Sequence, residues 1–429
     1  MSERYHCSEE MLERALKSIP LGSQTFSKSK TQYPIGVSPF FLTKGQGCYV
    51  WDVDGNKYLD MISALASITL GYSDPDVTRA VQDQLNDGVI FSLPHPIEIE
   101  VAERICAMVP CAERVRFGKN GSDATAGAIR LARAYTGRDR VAVCGYHGWQ
   151  DWYIGSTTRS LGVPEQVRSL THPFPYNDSS ALEVLLNSHQ HEFAAVILEP
   201  MNVIQPLEGY LAEVKNLAHQ HGALLIFDET ITGFRFDNGG AQTLFGVTPD
   251  LATFGKGLAN GFPLSAIVGR AEIMQLMEEI FFSFTFGGEA LSLAAAKATL
   301  EKLQKEPVLS IIKERGERLL DALQTMIHRH KLESWLSLSG YPVWSFLLFK
   351  DMDPYTQWDI KTFFMQEMQA RGVLTLGTHN LNYAHTAENL DYLLSVYEVV
   401  LPKIDKAIRE KNLHSQLNCK TLTPLFKIR

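Results

Sequence analysis

The middle of the chain alternates short apolar runs of strand length with amphipathic segments of helix length, such as 122–137 and 209–222. Parallel strands that are covered by helices on both faces read as nearly continuous apolar runs. The pattern therefore predicts an α/β fold with a mostly parallel sheet flanked by helices, from about Gly71 to Lys305. The runs on which this prediction rests are RVAVC (140–144), FAAVIL (193–198), ALLIF (223–227) and LATF (251–254).

The segments on either side of this region have a different pattern. Residues 8–18 have helical spacing, and 41–59 alternate apolar and polar residues around a turn at 52–56, which predicts a β-hairpin. After Pro307 come a long helical segment, mixed strands and two further helices. A chain of 429 residues also exceeds the ~250–300 residues that one core supports. We therefore expect an N-terminal segment that is part of a small domain (1–70), a large cofactor-binding domain (71–306) and the remainder of the small α+β domain (307–429).

Composition and charge argue against several classes of function. The net charge is -8 and no candidate helix carries a run of Lys or Arg, which argues against nucleic-acid and anionic-membrane partners. No apolar run approaches the ~20 residues of a membrane span, and the N-terminus is polar, so we expect a cytoplasmic protein. The six cysteines are scattered and never form C-x-x-C. Neither a disulfide framework nor a metal site is therefore predicted.

Three polar side chains each follow directly on a predicted buried strand: Glu199, Asp228 and Lys256. Ligands of open α/β sheets bind outside the carboxyl ends of the strands, so we expect these side chains to converge on one site. A lysine with a lowered pKa forms Schiff bases with carbonyl compounds. A carboxylate beside a pyridine nitrogen keeps that nitrogen protonated and makes the ring an electron sink. The three residue types together favour catalysis with a carbonyl cofactor that contains a pyridine ring.

A phosphate site is predicted at the start of a helix in the first half of the sheet region. Gly121 and Ser122 precede a helix that is expected to begin near Asp123. Free N–H groups and the dipole at such a helix start attract phosphate, and Ser122 adds a hydroxyl. Thr285 is a second small hydroxyl site. Tyr146 follows a predicted strand, and its ring can stack on a planar cofactor at the same sheet edge.

Each of these residues also has a purely structural interpretation. Lys256 can cap a strand at the surface, Asp228 can cap a following helix, and Ser122 is an ordinary residue at a helix start. Tyr146 can be a partly buried turn aromatic. The glycine motif GKGLANG (255–261) is near the dinucleotide fingerprint of an NAD-linked dehydrogenase, but it has one residue too many and lies late in the sheet. Only the combination of residues favours the pyridine cofactor.

At these residues the chain resembles the class III aminotransferases, a family of fold-type-I pyridoxal-phosphate (PLP) enzymes. Within that family it looks closest to the branch of glutamate-1-semialdehyde aminomutases. The resemblance spans most of the chain, and the pattern D-E-x-x-T-G-F-R followed by P-D-x-x-x-x-G-K is highly specific. The matching stretches are CYVWDVDGNKYLD (48–60), GSDATAGAIRLARAYTGRD (121–139), YHG (146–148), ILEP (197–200), GALLIFDETITGFR (222–235) and GVTPDLATFGKGLANGFPLSAIVG (246–269).

The resemblance implies roles for the three residues at the strand ends. Lys256 would hold pyridoxal 5'-phosphate as a Schiff base and then move a proton during the reaction. Asp228 would pair with the pyridine nitrogen. Glu199 would lie near the substrate and the hydroxyl side of the cofactor.

The resemblance also implies how the rest of the cofactor is held. Gly121 and Ser122 would bind its phosphate, and Tyr146 would stack on its ring. Members of the family are homodimers with shared active sites, in which the residue matching Thr285 reaches the phosphate of the neighbouring subunit. We therefore expect a homodimer.

The chain departs from the aminomutase pattern on the substrate side. That branch carries an arginine for the substrate carboxylate where the present loop has Lys28, and a lysine lacks the bidentate fork that suits a carboxylate. The stretch 199–203 is shorter than its aminomutase equivalent, and 284–289 lacks the usual residues after Thr285. We assign Lys28 and Glu199 to substrate binding, but the aminomutase activity itself is in doubt.

These observations predict a transaminase with two small-molecule partners, an amino-acid donor such as glutamate and an aldehyde or ketone acceptor. The loop around Lys28 is rich in hydroxyl groups, which favours a sugar or aminocyclitol carbonyl compound as the acceptor. Intramolecular amino transfer, as in glutamate-1-semialdehyde 2,1-aminomutase, is the alternative within PLP chemistry. An NAD-linked dehydrogenase is the alternative from another class.

Overall fold

The computed structural model describes residues 3–423. These residues form two compact units. The small unit contains residues 3–65, 69–74 and 310–423, and the large unit contains residues 66–68 and 75–309. The predicted domain boundaries, at 70/71 and 306/307, stay a prediction.

The N-terminal part of the small unit is a helix followed by a three-stranded antiparallel meander. The predicted hairpin corresponds to the second and third strands, and a further strand precedes them. Asp52 closes the turn because its carboxylate accepts hydrogen bonds from the N–H groups of Asp54 (3.0 Å) and Asn56 (2.7 Å). The elements are α1 (His6–Ser18), β1 (Leu42–Gln46), β2 (Tyr49–Asp52), β3 (Lys57–Asp60) and α2 (Ser63–Ala66).

The large unit is built on a seven-stranded sheet that confirms the predicted, mostly parallel α/β fold. Its strands are β4 (Arg114–Gly118), β5 (Arg140–Cys144), β6 (Thr171–Pro173), β7 (Phe193–Leu198), β8 (Leu224–Asp228), β9 (Leu251–Phe254) and β10 (Ser265–Gly269). The strand order is β4-β10-β9-β8-β7-β5-β6, and only β10 runs antiparallel to its neighbours. Every residue of β7, β8, β9 and β10 is buried, as expected for strands that are covered on both faces.

The helices of the large unit follow the predicted amphipathic segments. One helix begins at Gly121, two residues before the expected start, because Asn120 caps it and forms a capping box with Asp123. The same helix ends at Gly137, which has the left-handed conformation (φ 67°). The helices are α3 (Pro75–Asp87), α4 (Pro96–Met108), α5 (Gly121–Thr136), α6 (Asp151–Ile154), α7 (Glu165–Arg168), α8 (Ser179–Ser188), α9 (Tyr210–Gln220), α10 (Ala241–Phe245), α11 (Ala271–Met274) and α12 (Ala290–Lys305).

The C-terminal part of the small unit contains the long helix, strands and paired helices that the sequence predicts. One short strand extends the N-terminal meander, because Val373 pairs in parallel with Leu59. The remaining three strands form a separate antiparallel sheet. The elements are α13 (Val308–His330), β11 (Leu336–Tyr341), β12 (Trp344–Phe349), α14 (Gln357–Ala370), β13 (Val373–Leu374), β14 (Thr378–His379), α15 (Ala387–Arg409) and α16 (Leu413–Gln416).

Within residues 3–423, no helix is both long enough and apolar enough to cross a membrane.

Candidate active site

Asp228 is the last residue of β8, and its carboxylate is almost completely buried. One oxygen, Oδ2, lies 2.9 Å from Nδ1 of His147. The other oxygen, Oδ1, accepts hydrogen bonds from the backbone N–H of Thr230 (3.1 Å) and the hydroxyl of Thr253 (3.2 Å). Burial pushes the pKa of Asp228 upward, but these hydrogen bonds and the charge of His147 hold it below its ordinary value. Asp228 is therefore a buried, ionised carboxylate.

Lys256 follows β9 and is half-buried at the adjacent strand end. Its backbone is left-handed, with φ of 40°, which is a strained conformation for a residue with a side chain. Burial lowers the pKa of its ammonium group to about 8, although the charges of Glu199 and Asp228 oppose that shift. A substantial fraction of the neutral, nucleophilic amine is thus present near neutral pH.

Glu199 follows β7 and is buried. One carboxylate oxygen accepts hydrogen bonds from the N–H of Tyr146 (3.0 Å) and the side-chain amide of Asn202 (2.6 Å). Burial, reinforced by the charge of Asp228, raises the pKa of Glu199 to about 7. Glycine is required at position 145, where φ is 108° and a Cβ atom would lie 2.5 Å from this carboxylate.

The start of α5 lies beside Lys256. A Cβ atom built on Gly255 would be 3.9 Å from the backbone nitrogen of Gly121, so the two backbones are close neighbours. The first N–H groups of an α-helix have no carbonyl partner within the helix, and the helix dipole favours an anion there. The hydroxyl of Ser122 is held at this position, where it accepts a hydrogen bond from the N–H of Trp149 (3.2 Å).

Tyr146 presents an aromatic ring at the same sheet edge. It follows β5, and 49% of its surface is exposed. Its ring packs edge-on against the ring of Tyr153, with 5.6 Å between centroids and an interplanar angle of 88°. This contact holds one side of Tyr146 in place. The exposed surface leaves this ring available to a planar ligand.

The residues present fit PLP. The amine of Lys256 suits an aldehyde, the carboxylate of Asp228 suits a protonated pyridine nitrogen, and the first turn of α5 at Gly121 and Ser122 suits a phosphate. Tyr146 offers a face for the ring. All five residues lie in the large unit, at or next to the carboxyl ends of parallel strands.

Two predicted site residues lie elsewhere. Thr285 is exposed in the segment between β10 and α12, flanked by the exposed Phe284 and Phe286. Lys28 is exposed in the small unit, where it lines a cavity of about 440 Å³ together with Tyr33, Lys44 and other residues. The roles assigned to Thr285 and Lys28 remain predictions.

The structure adds neighbours that the sequence analysis did not assign. His147 contacts Asp228, and Asn202 contacts Glu199. Thr230 and Thr253 also donate to the Asp228 carboxylate. The only signal for His147 in the sequence is its place in the YHG motif, where attention falls on the tyrosine. Asn202 and Thr230 lie only three and two residues from the carboxylates they contact, in turns whose geometry the sequence analysis did not assign. The contact of Thr253 with Asp228 depends on the pairing of β8 with β9, which local patterns do not reveal.

A lysine, a buried carboxylate and a helix start at the carboxyl edge of this sheet define a fold-type-I PLP enzyme. The chain belongs to the class-III aminotransferases, because the model of that family matches residues 32–390. It is therefore a PLP-dependent aminotransferase, and its cofactor is pyridoxal 5'-phosphate. The NAD-linked dehydrogenase is set aside.

Relatives with different activities are similar over nearly the whole chain. The 3-aminobutyryl-CoA aminotransferase of Cloacimonas acidaminovorans (strain Evry) is 33% identical over 411 residues, which cover 94% of this chain and 98% of that protein. The glutamate-1-semialdehyde 2,1-aminomutase of Syntrophobacter fumaroxidans (strain DSM 10017 / MPOB) is 34% identical over 417 residues, with 90% and 94% covered.

The solved structure of the FumI protein of Sphingopyxis sp. MTA144, in its PLP internal aldimine form, superimposes with a TM-score of 0.88 at 27% identity. The match covers 97% of this chain and 98% of that one.

Proposed function

We propose that this aminotransferase works in two half-reactions, taking an amino group from an amino-acid donor such as glutamate and passing it to an aldehyde or ketone. The observation that supports this proposal best is the convergence of Lys256, Asp228 and the start of α5 at one sheet edge. Bound PLP supplies a Schiff-base partner and an electron-withdrawing ring. The protein's own groups then provide orientation and proton transfer.

Each side chain of the site has a task in this scheme. Asp228 holds the pyridine nitrogen in its protonated form, while Gly121 and Ser122 hold the phosphate. The amine of Lys256 would hold the cofactor and, in its free form, would move the proton at the reacting carbon. A pKa of about 8 allows Lys256 to accept and return a proton near neutral pH. Glu199 faces the substrate and the hydroxyl side of the ring.

For the acceptor, we propose a polyhydroxylated carbonyl compound, a sugar or an aminocyclitol. Lys28 takes the place of the carboxylate-binding arginine of the aminomutases, and it lines a cavity together with three hydroxyl-bearing residues, Tyr33, Thr43 and Tyr72. Such groups suit hydroxyl-bearing ligands better than a bidentate carboxylate. The entry loop adds further polar side chains, at Ser23, Gln24, Thr25, Ser27 and Ser29.

Intramolecular amino transfer is the second candidate function, since aminomutases are among the relatives. The 3-aminobutyryl-CoA aminotransferase, of which 98% is matched at 33% identity, is named for transfer between two molecules. This similarity supports the first candidate function. Consumption of an external donor separates the two functions, because a mutase returns the amino group to the same carbon skeleton.

The decisive experiment follows the absorption spectrum of the holoenzyme through each half-reaction separately. A panel of amino acids is tested for conversion of the cofactor to its amine form, and a panel of carbonyl compounds for its return. We expect glutamate to act in the first step, and sugar or cyclitol carbonyls to outperform simple keto acids in the second. Full activity with glutamate-1-semialdehyde and no external donor would contradict the proposal.

Lys28→Arg tests the acceptor assignment directly. The guanidinium restores a bidentate carboxylate site. We expect KM for polyhydroxylated acceptors to rise by about 10-fold, because one well-placed polar contact is lost. KM for keto acids with a distal carboxylate should fall. Lys30→Arg is the matched control in the same loop and should change neither. Equal KM values for Lys28→Arg and the parent enzyme would remove Lys28 from the substrate site.

We also propose a homodimer in which Thr285 serves the neighbouring subunit. The support is an apolar surface in the large unit around this residue. The segments 94–99 and 282–288 line one common cavity, and the N–H of Ala290 donates to the carbonyl of Val89 (2.8 Å). Large exposed apolar patches mark protein interfaces. The exposed side chains of this surface, called here the Thr285 surface, are Val89, Ile90, Phe91, Leu93, Ile99, Phe284 and Phe286.

A further inference from the structure

The stretch of chain that carries Thr285 is fixed at its start to β4 and α5. The backbone carbonyl of Phe282 accepts a hydrogen bond from Nη2 of Arg116 on β4 (3.1 Å). The carbonyl of Phe281 accepts one from Nη1 of Arg130 on α5 (3.3 Å). The ring of Phe282 also packs against the apolar core to which α5 contributes. Residues 281–289, called here the Thr285 segment, therefore begin on the same pair of elements that carries the proposed phosphate site.

The end of the Thr285 segment is fixed to the same place by an ion pair. Nζ of Lys119, in the connection between β4 and α5, lies 2.8 Å from Oε2 of Glu289. The two side chains are only 18% and 13% exposed. Ion pairs on an open surface contribute little to stability, whereas removing one partner of a pair that is withdrawn from water leaves an uncompensated charge. Among residues 3–423, Lys119 forms an ion pair with no other carboxylate.

Glu289 is itself held in place by the helix that follows it. It is the N-cap of α12, where Oε1 accepts a hydrogen bond from the N–H of Leu291 (2.8 Å). Its Oε2 accepts from the N–H (3.2 Å) and the hydroxyl (2.6 Å) of Ser292. Burial pushes the pKa of Glu289 upward, but the hydrogen bonds from Lys119 and Ser292 and the charge of Lys119 hold it below its ordinary value. Glu289 is thus an ionised carboxylate with a fixed position.

Lys119 belongs, through its backbone, to the turn that begins α5. Its N–H donates to Oδ2 of Asp123 (3.1 Å), and the N–H of Asn120 donates to the same oxygen (3.0 Å). These bonds surround the capping box that sets the first turn of α5, where Gly121 and Ser122 lie. One residue therefore joins the two helix starts, because its backbone is part of the α5 cap and its side chain binds the α12 cap.

We propose that Lys119 and Glu289 are positioning residues that lock the Thr285 segment to the phosphate turn of the same subunit, so that dimer assembly and PLP binding strengthen each other. This inference rests on the proposed phosphate site at α5 and on the proposed contribution of Thr285 to the neighbouring subunit. The turn serves one subunit's cofactor and the segment serves the other's. Joined by the ion pair, the two pieces are ordered together, and coupling of this kind is reciprocal.

The first test is a double-mutant cycle of Lys119→Met, Glu289→Gln and the double variant. Sedimentation gives the dimer dissociation constant, and titration of the apoenzyme gives the dissociation constant for PLP. We expect each single change to raise both constants by about 5-fold or more, and the double variant to be little worse than either, as for residues in contact. The contribution of Glu289 to the α12 cap cancels in the cycle. Strictly additive effects on both constants would overturn the proposal.

The second test measures the coupling itself, as the factor by which saturating PLP lowers the dimer dissociation constant. We expect a factor of at least about 5 in the parent enzyme, and a factor near one in Lys119→Met. Lys119→Arg keeps the charge and should restore most of the factor. A pair with a purely structural role would lower Tm and leave the factor unchanged. The parent's factor in Lys119→Met would therefore contradict the proposal, whatever happens to Tm.

Lys302→Met is the matched control. Lys302 lies on α12, is also largely buried, and forms an ion pair of the same length with Asp76 of α3 (2.8 Å). It should keep the parent's coupling factor.

Thr285→Val separates this inference from the proposed function. If the Thr285→Val dimer binds PLP as tightly as the parent dimer, the shared phosphate site in the proposed function fails. If Thr285→Val weakens PLP binding but the cycle of Lys119 and Glu289 is additive, the present inference fails alone.

Discussion

At the scale of single residues, the site contains two ionisable groups that burial shifts in opposite directions. The pKa of Lys256 falls to about 8, and the pKa of Glu199 rises to about 7. Burial disfavours the charged form of both groups. The amine of Lys256 therefore becomes a weaker base, and the carboxyl group of Glu199 becomes a weaker acid. Pairs of groups whose values are moved toward neutrality are typical of active sites.

Replacing Lys256 by alanine removes the amine that the proposal links to the cofactor. We expect the absorption band near the visible edge to be lost, no borohydride-stabilised cofactor, and a fall in turnover on the order of 10³-fold or more. Stability should not fall, because the substitution removes an ammonium group whose burial is unfavourable. Lys215→Ala, on the surface of the large unit, is the control and should keep the band.

Glu199→Gln tests the raised pKa of the buried carboxyl. The pKa of Glu199 in the folded protein, about 7, lies above its value in the unfolded chain. The raised pKa contributes stability that is fully present below ~4.3, the pKa of a glutamate in the unfolded chain. This contribution is lost as the pH rises toward 7. Glutamine has no such titration. We expect the variant to become more stable relative to the parent apoenzyme as the pH rises from 5 to 8. The difference in the free energy of unfolding should change by up to about 3 kcal/mol, and it is measured as a difference in Tm at each pH. A constant difference would show that Glu199 is ionised throughout.

At the scale of secondary-structure elements, α5 joins stability to cofactor binding. The helix packs on the central sheet through residues such as Ile129 and Leu131, so its first turn is held in a fixed place at the sheet edge. The sequence correctly placed this helix, the long α13 and the buried strands, because hydrophobic periodicity and capping residues are local signals. It did not separate β1 from β2 within the predicted hairpin, and it did not predict β10, whose antiparallel direction depends on partners distant in sequence.

Two capping boxes provide a matched pair of variants at this scale. Asn120 caps α5 at the proposed phosphate site, and Thr356 caps α14 in the small unit with the same pattern of hydrogen bonds. Replacing either by alanine should cost about 1 kcal/mol of stability. Only Asn120→Ala should weaken PLP binding, measured by titration of the apoenzyme. Equal PLP affinity in both variants would argue against phosphate binding at α5.

At the scale of the whole molecule, every residue proposed to contact the cofactor lies in the large unit, and Thr285 is the one proposed to serve the neighbouring subunit. The Thr285 surface belongs to this unit, and its apolar side chains are each at least 36% exposed. A second copy is the occupant that the homodimer proposal predicts. The homodimer and the cytoplasmic location both stay predictions.

Leu93→Asp tests whether a second copy of the chain binds the Thr285 surface. Leu93 is 79% exposed, so a charge there leaves the fold intact but opposes burial against a partner. We expect sedimentation to show a dimer dissociation constant raised by at least about 10-fold, together with weaker PLP binding. Leu161→Asp, at a fully exposed leucine of the same unit, should do neither. A parent enzyme that is monomeric and still holds PLP would contradict the shared active site.

The sequence by itself determined the fold class, the cofactor and the residues at the strand ends. Short apolar strands, capped helices and ordered motifs are local, and the rule that ligands bind at the carboxyl edge places Glu199, Asp228 and Lys256 without coordinates. The tertiary structure alone decided which groups touch them. In the order β9-β8-β7-β5, strands distant in sequence become neighbours, and this brings His147 to Asp228 across 81 residues. Burial and pairing set the charge of each group, and both arise only when the chain is packed.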